Sequence, residues 1–402
     1  MKTTLRKFTA AWPLMMFLLL PTLTRAETAV QAWVQLYNGP GNSVDIPNAL
    51  AVDGSNNVVV TGVTTNYVYG PNGDYATIQY SSAGVPLWTN LYSGPGNSYD
   101  EAFAVAVDGS NNVIVTGVSG RDYATIQYSS AGVPLWTNYY NGPGNSEDSA
   151  RAVAVDGSNN VIVTGYSWGS GSGPDYATIQ YSSDGVPLWT NRYNGPGNGG
   201  DRACGVAVDS SNDVIVTGYS TGDGSQGDYA TIKYSSAGVP LWTNRYSTPG
   251  FRHDQALAVA VDGNNNVIVG GTADTIKYTS AGTPLWKTDA DDLLFLGMAV
   301  DRSGNVIVTG MSFSGAGGYD FTTMEYVCVP SPVVTGLQLT NGTFQLRVDG
   351  VLQPGTLVIE ASTNLTSWVP LFTNTTPTNV LFYADPNAGD GPARFYRGFQ
   401  FP

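Results

Sequence analysis

Apolar and polar positions alternate in short runs, and the same four runs recur in one order along most of the chain. In one clear copy they are Ala152-Val-Ala-Val-Asp156, Val161-Ile-Val-Thr-Gly165, Asp175-Tyr-Ala-Thr-Ile-Gln-Tyr181 and Pro187-Leu-Trp-Thr-Asn-Arg-Tyr193. Period-two alternation, β-branched residues and aromatics predict strands. No run outside the first 26 residues has a helical period. Between the strands lie Asp-Gly-Ser-Asn-Asn, Ser-Ser-Ala-Gly-Val-Pro and Asn-Gly-Pro-Gly-Asn, which supply the Gly, Asn and Pro that tight turns need.

The period is about 50 residues, and it is written six times. The tryptophan recurs at Trp33, Trp88, Trp136, Trp189, Trp242 and Trp286. The aspartate recurs at Asp53, Asp108, Asp156, Asp209, Asp262 and Asp301. Four short antiparallel strands per repeat describe a propeller blade. The alanine-rich strand fits the crowded axis and the tryptophan strand the rim. The last copy has no tryptophan strand after it, and the first tryptophan strand, Gln31–Tyr37, has no inner strand before it. The predicted fold is therefore an all-β, six-bladed β-propeller closed by the N-terminal strand, over residues 27–328. A linker at 329–332 (Val329-Pro-Ser-Pro332) leads to a small β-sandwich at 333–402. Its expected strands are 336–340, 343–348, 356–361, 368–373, 380–383 and 394–399.

The ends and the charge add context. Lys2, Arg6 and Lys7, then Leu14-Met-Met-Phe-Leu-Leu-Leu20, then Thr24-Arg-Ala26 read as a secretory signal peptide over residues 1–26. Its apolar core is too short to span a bilayer, so no transmembrane segment is expected after cleavage. Of 17 basic residues, four lie in this leader, which leaves 13 against 31 acidic ones, a net charge of −18. That field repels phosphate backbones and argues against nucleic acid. The expected location is secreted or cell envelope, as a monomer, and the expected partner is an extracellular protein or glycan. The two cysteines, Cys204 and Cys328, fall in different repeats and form no disulfide framework.

Candidate chemistry is sparse. The mature chain has one histidine, His253, in a loop, and no nucleophile, base and acid can be assembled around it. Asp53-Gly-Ser-Asn-Asn57 and its copies offer oxygens at i, i+2 and i+4, the spacing of a calcium loop. No downstream glutamate completes the shell, so a hairpin turn is preferred, with calcium second and no other cofactor. A second acidic set, Asp45, Asp100, Asp148, Asp201 and Asp254, precedes each inner strand. It forms either an acidic ring at a channel mouth or a set of acceptors for loop amides, the latter preferred. The loop between the second and third strands varies most among copies. Tyr67, Tyr69, Arg121, Arg151 and Trp168 are the ligand-contact candidates on that face.

Ala-Val-Asp-Gly-Ser-Asn-Asn-Val-Ile-Val-Thr-Gly-Tyr, preceded by Gly-Asn-x-x-Asp, resembles the bacterial β-propeller repeat described as seven-bladed, the SBBP repeat, over residues 31–327. The resemblance implies the scaffold and says little of activity. The chain departs from it in having six copies. Ile359-Glu-Ala-Ser-Thr-Asn-Leu-Thr-Ser-Trp368, with Asp385-Pro-Asn-Ala388 and Arg394-Phe-Tyr-Arg397, is similar to a C-terminal module of exported bacterial repeat proteins. The leading expectation is an exported, non-enzymatic scaffold that binds through its variable-loop face. The alternatives are a polysaccharide lyase or hydrolase working from channel-mouth carboxylates, and a spacer without a ligand.

Overall fold

The computed structural model describes residues 31–401 apart from segments at 66–72, 97, 225–226, 249–252, 289–292, 314–317, 328–332, 341–342, 350–355, 365, 376–379 and 386–394. The signal-peptide expectation and the 329–332 linker lie outside the described residues. The chain divides into Met1–Leu36 and Tyr37–Pro402. In the first unit the described residues, 31–36, carry no strand. The second is all-β, with 29 strands and, among the described residues, no helix.

Six sheets follow one another. Sheets one to five each hold four antiparallel strands in chain order, as in Asp45–Val52, Val58–Thr65, Gly73–Tyr80 and Pro86–Tyr92. Sheet six holds three, Leu293–Val300, Val306–Phe313 and Tyr319–Tyr326. The alanine-rich strand is innermost, and inner strands of successive sheets are neighbours. This is the stacking of propeller blades. The expected strand at Gln31–Tyr37 does not form: residues 31–39 are without strand structure, and Leu36 is 92% exposed. A lone ribbon has no ladder to hold it, and nothing among the described residues pairs with the free edge of sheet six. Among the described residues no closed ring of sheets is formed.

The alternating pattern builds a core between sheets rather than within them. In the seam between sheets three and four, Ile162 and Tyr176 of one meet Ala203, Val214, Val216 and Ile232 of the next, with Trp189 and Tyr193 closing the rim. The same positions fill the seams before and after it. The tyrosine in each seam is buried, and its hydroxyl is still satisfied. Tyr75, Tyr123 and Tyr176 donate to the carbonyls of Ala124, Ala177 and Ala230 in the following sheet, each at 3.1 Å. Each rim tryptophan likewise reaches across, as Trp136 Nε1 donates to the Ser183 carbonyl at 3.0 Å. Gly132 in the facing turn has φ +78°, and a Cβ there would sit 2.6 Å from Trp88 Cγ, so this turn must be glycine.

Burial raises these tyrosine hydroxyls well above their ordinary range, as at Tyr75, Tyr123 and Tyr176; Tyr128 and Tyr181 are pushed up to about 12. Their folded-state values exceed the unfolded ones, so the stability they contribute is complete below the unfolded tyrosine value, ~10, and is lost as pH rises above it. The expected outcome is flat stability up to about pH 10 and cooperative alkaline unfolding above it. Tyrosinate absorbance at 295 nm then rises together with loss of far-ultraviolet signal. Gradual ionisation without unfolding would show the hydroxyls to be solvated.

Every letter of Asp-Gly-Ser-Asn-Asn has a physical cause. Asp156 Oδ1 accepts from the amides of Ser158 and Asn160, and Oδ2 from Asn160 Nδ2 and Gln180 Nε2. Asn159 takes φ +63°, and Gly157 donates to Asn212 Oδ1 of the next sheet at 2.9 Å. A carboxylate enclosed by four donors is the reverse of a cation cage. The glycine of Val-Ile-Val-Thr-Gly faces an irregularity: each inner strand shifts register within its first four residues, and Gly165 lies opposite that shift. A Cβ on Gly165 would run into the Ser149 carbonyl. Gly165→Ala is therefore expected to lose about 1–3 kcal/mol, read as a lower urea midpoint.

After sheet six come two three-stranded antiparallel sheets. One joins Val333–Thr340, Thr343–Asp349 and Val380–Asp385, and the other Val369–Asn374, Thr356–Ser362 and Phe395–Phe401. They share a core of Leu346, Val348, Leu357 and Ile359.

Candidate functional site

The loops sort onto two ends of the sheets. The Asp-Gly-Ser-Asn-Asn and Ser-Ser-Ala-Gly-Val-Pro turns share one end, where Lys233 reaches both Asp209 and the Ser280 carbonyl. An open cleft of about 420 Å³ lies there, lined in part by Asp209, Asp213, Lys233 and Trp242. The other end joins the Gly-Pro-Gly-Asn loops to the variable loops. Gly144 donates to the Trp168 carbonyl, Asp148 to the Arg121 carbonyl and Asp254 to the Gly227 carbonyl.

The second acidic set does not line an open mouth. Asp100, Asp148 and Asp201 are 0% exposed. Asp148 accepts from the amides of Gly142 and Trp168, and Asp201 from those of Gly195 and Thr221. Asp45 accepts from Gly39, and Asp254 from Thr248. These carboxylates staple the incoming loop to the loop of their own blade, because the turn leaves amides that need acceptors. Burial, opposed by these donors, holds the Asp201 carboxyl above its usual range. These aspartates are amide acceptors rather than a ring presented to solvent, with Asp100, Asp148, Asp201 and Asp254 buried and Asp45 half-buried. A pair of carboxylates poised for acid and base work is not found in this set.

Of the five ligand-contact candidates, Tyr67 and Tyr69 lie outside the described residues. Arg121 is exposed at its loop, and Trp168 is partly exposed, with its backbone tied to Gly144 and Asp148. Arg151 is elsewhere than expected. It sits on the inner strand of sheet three, at the register shift. The shift recurs in every inner strand, between Pro47 and Ala49, Ala102 and Ala104, Ala203 and Gly205, Ala256 and Ala258, and Phe295 and Gly297. The extra residues are Asn48, Phe103, Arg151, Cys204, Leu257 and Leu296. Bulges re-aim side chains, and here six otherwise similar strands present six chosen ones. The sequence carried the signal as variation at one position inside an alanine-rich strand.

The side chains at and beside the bulges meet their neighbours on adjoining sheets. The Arg151 guanidinium lies over the Phe103 ring at 4.1 Å and over Tyr166 at 5.6 Å. Arg202 lies over the same Tyr166 ring at 4.6 Å. The Tyr166 hydroxyl donates to Glu147 at 2.6 Å. Asn48 donates to Glu101 at 2.9 Å, and Tyr99 donates to it from the other side. Gln255 donates to Cys204 Sγ at 3.5 Å. Burial raises the Cys204 thiol, against the pull of Gln255, Arg151 and Arg202. Cys204 is a free thiol, and Cys328 lies outside the described residues. His253 is exposed, its ring set edge-on to Tyr219 at 5.9 Å. Among the described residues no three His, Cys, Asp or Glu converge on a metal site, and no helix is long and apolar enough to cross a membrane.

No family model matches the chain. An uncharacterised WD-repeat-containing protein of Acanthamoeba polyphaga mimivirus is 32% identical over 111 residues, covering 23% of this chain. The chain spans only 8% of that relative's length. Among solved structures, the PorZ surface component of the type-IX secretion system of Porphyromonas gingivalis is 14% identical. That similarity covers 88% of this chain and 51% of PorZ, with a TM-score of 0.44. The Dos1 propeller is 10% identical over 75% of each chain, with a TM-score of 0.46. The Pan2 WD40 domain of Neurospora crassa is 9% identical over 65% of this chain and 85% of that one, with a TM-score of 0.41. The propeller-type stacking described above rests on the strand order and the seams of this chain.

Proposed function

We propose that the chain is an exported, non-catalytic β-propeller scaffold of six blades that binds an extracellular or cell-envelope protein or polymer. The observation that carries this reading is the division of labour within the repeat. The carboxylates and amides of the constant turns are spent on holding sheets together, while the loops between second and third strands vary on the opposite end. A rigid frame with variable loops at one end is the usual build of a binding module. The SBBP-like repeat and the leader-like first 26 residues support export, and the paired C-terminal sheets support a β-sandwich accessory module.

Closure of the ring is part of the proposal. Tyr37 packs on Ala76, Ile78 and Tyr80 of sheet one. Tyr92 packs in the same way on the cluster holding Ala124, Ile126 and Tyr128 of sheet two. Burial first, then Asp45, raise the Tyr37 hydroxyl against a hydrogen bond with Thr64, and Tyr92 has the matching Asp100 and Ser119. Tyr37 therefore stands where the outer-strand tyrosine of a preceding blade would stand. The end faces also match: Leu50 of sheet one is 69% exposed and Phe321 of sheet six 87%, although their counterparts Val105 and Tyr176 are packed in seams. Open seams of this kind close favourably on each other.

The test uses full-length protein against a glycan panel and a cell-envelope extract. Replacing residues 66–72 and 169–173 by short Gly-Ser links is expected to reduce capture at least tenfold with an unchanged melting temperature. Undiminished capture by the double-loop variant rules out that end as the binding surface.

A further inference from the structure

The inner strands carry two arginines that the frame ties into no ion pair among the described residues. The chain carries 31 acidic residues against 17 basic ones. The other cations within the blade sheets are paired: Arg192 with Asp175, Arg245 with Asp228, Lys233 with Asp209 and Asp213, Lys277 with Asp262, and Lys287 with Asp274. Arg151 and Arg202 are in none of the ion pairs among the described residues. Both are exposed, and both are brought to the same Tyr166 ring. The acids beside them are engaged by neutral donors. Glu147 takes the Tyr166 hydroxyl, and Glu101 takes Asn48 and Tyr99. Glu147 keeps its charge beside Tyr166, so what the two arginines offer a ligand is orientation: each guanidinium is held in direction by an aromatic face and is closed into no ion pair among the described residues.

We propose that Arg151 and Arg202, on the inner strands of sheets three and four and backed by Phe103 of sheet two and by Tyr166 of the second strand of sheet three, form a binding site for a carboxylate-bearing small ligand. The planar guanidinium fork matches a carboxylate through paired hydrogen bonds. Stacking on the aromatic faces fixes the direction of each fork. A single negative charge suits the site better than a phosphate dianion, because the surrounding field is acidic. Gln255, which reaches Cys204 on the inner strand that carries Arg202, has an amide that would meet hydroxyls on the same ligand. The site rests on the reading of the chain as a binding module, but it lies on the inner strands and not on the variable loops.

The test is calorimetric titration of the full chain with glucuronate, succinate, glucose and inorganic phosphate, for wild type and for R151Q, R202Q and R202K. A second readout is the rate at which iodoacetamide alkylates Cys204, followed on its own peptide. Saturable millimolar or tighter binding of glucuronate or succinate is expected, with no binding of glucose. R151Q or R202Q should weaken it at least tenfold, with R202K intermediate, and bound ligand should slow Cys204 alkylation at least threefold. Preference for glucuronate identifies an acidic sugar, and preference for succinate a simple acid. Absence of carboxylate binding at 10 mM, equal affinity for phosphate, or binding unchanged in R151Q and R202Q overturns the proposal. The variant with links at 66–72 and 169–173 separates the two ideas. It keeps glucuronate binding if the arginine site is right, whether or not the loop face captures a partner.

Discussion

Lys233→Met is expected to be the most damaging single change in the frame that removes no core volume. In sheets one to three the third strand presents Gln79, Gln127 and Gln180 to the turn aspartate. In sheet four the same place holds Lys233, which lies 2.7 Å from Asp209 and 3.1 Å from Asp213. Asp213 stands where the other copies have asparagine, so the two departures from the repeat compensate each other. Removing the lysine leaves two carboxylates facing each other under Trp242. Breaking a buried pair in this way costs about 3–5 kcal/mol. The double variant K233Q/D213N restores the pattern of its neighbours and is expected to return to within about 1 kcal/mol of wild type, a coupling readable from a cycle of urea denaturations. Burial works against the Lys233 charge, but Asp209 and Asp213 outweigh it and raise its value. The pair's contribution is thus complete below the unfolded lysine value, ~10.4, and fades as pH rises beyond it. Equal losses for K233M and K233Q/D213N would show that Lys233 acts by packing alone.

Tyr176→Ala is the second large effect. The ring is 1% exposed, wedged between sheets three and four, and stacked edge-on against Tyr193 at 5.5 Å. Its removal opens a cavity in a seam where inner and outer strands are both fixed, so little collapse is available. The expected loss is about 3–5 kcal/mol. Tyr176→Phe keeps the ring and drops only the bond to the Ala230 carbonyl, for about 1–3 kcal/mol. A loss under 1 kcal/mol for the alanine variant would mean the seams are not the core.

The strands of the blades and of the C-terminal pair of sheets were legible because alternation and turn residues are local signals. The repeat multiplied them six-fold. The predicted segment at 380–383, for instance, is the strand Val380–Asp385. What was not legible was the bulge. An extra residue in an inner strand leaves the alternation of alanines and valines nearly intact, so Arg151 read as a loop neighbour when it is a strand residue. The role of Thr-Gly was hidden for the same reason, since Gly165 answers a carbonyl on the neighbouring strand. Asp148 was legible as an acceptor because a carboxylate beside a Gly-Pro-Gly loop has amides to satisfy. The N-terminal strand was inferred from a count, and a count carries no information about which edge a ribbon meets.

The central proposal is that the repeats close into a ring ahead of sheet one, beginning at Tyr37. By equivalence with the pairing of Tyr75 and Tyr92 in sheet one, the proposal sets Tyr37 opposite Phe321. A variant lacking Cys204 and Cys328 and carrying Y37C and F321C should form an intramolecular disulfide under mild oxidation, as readily as the control pair A76C and L91C. The crosslinked monomer would run faster on a non-reducing gel. Formation of the control crosslink with no crosslink between positions 37 and 321 would contradict the ring.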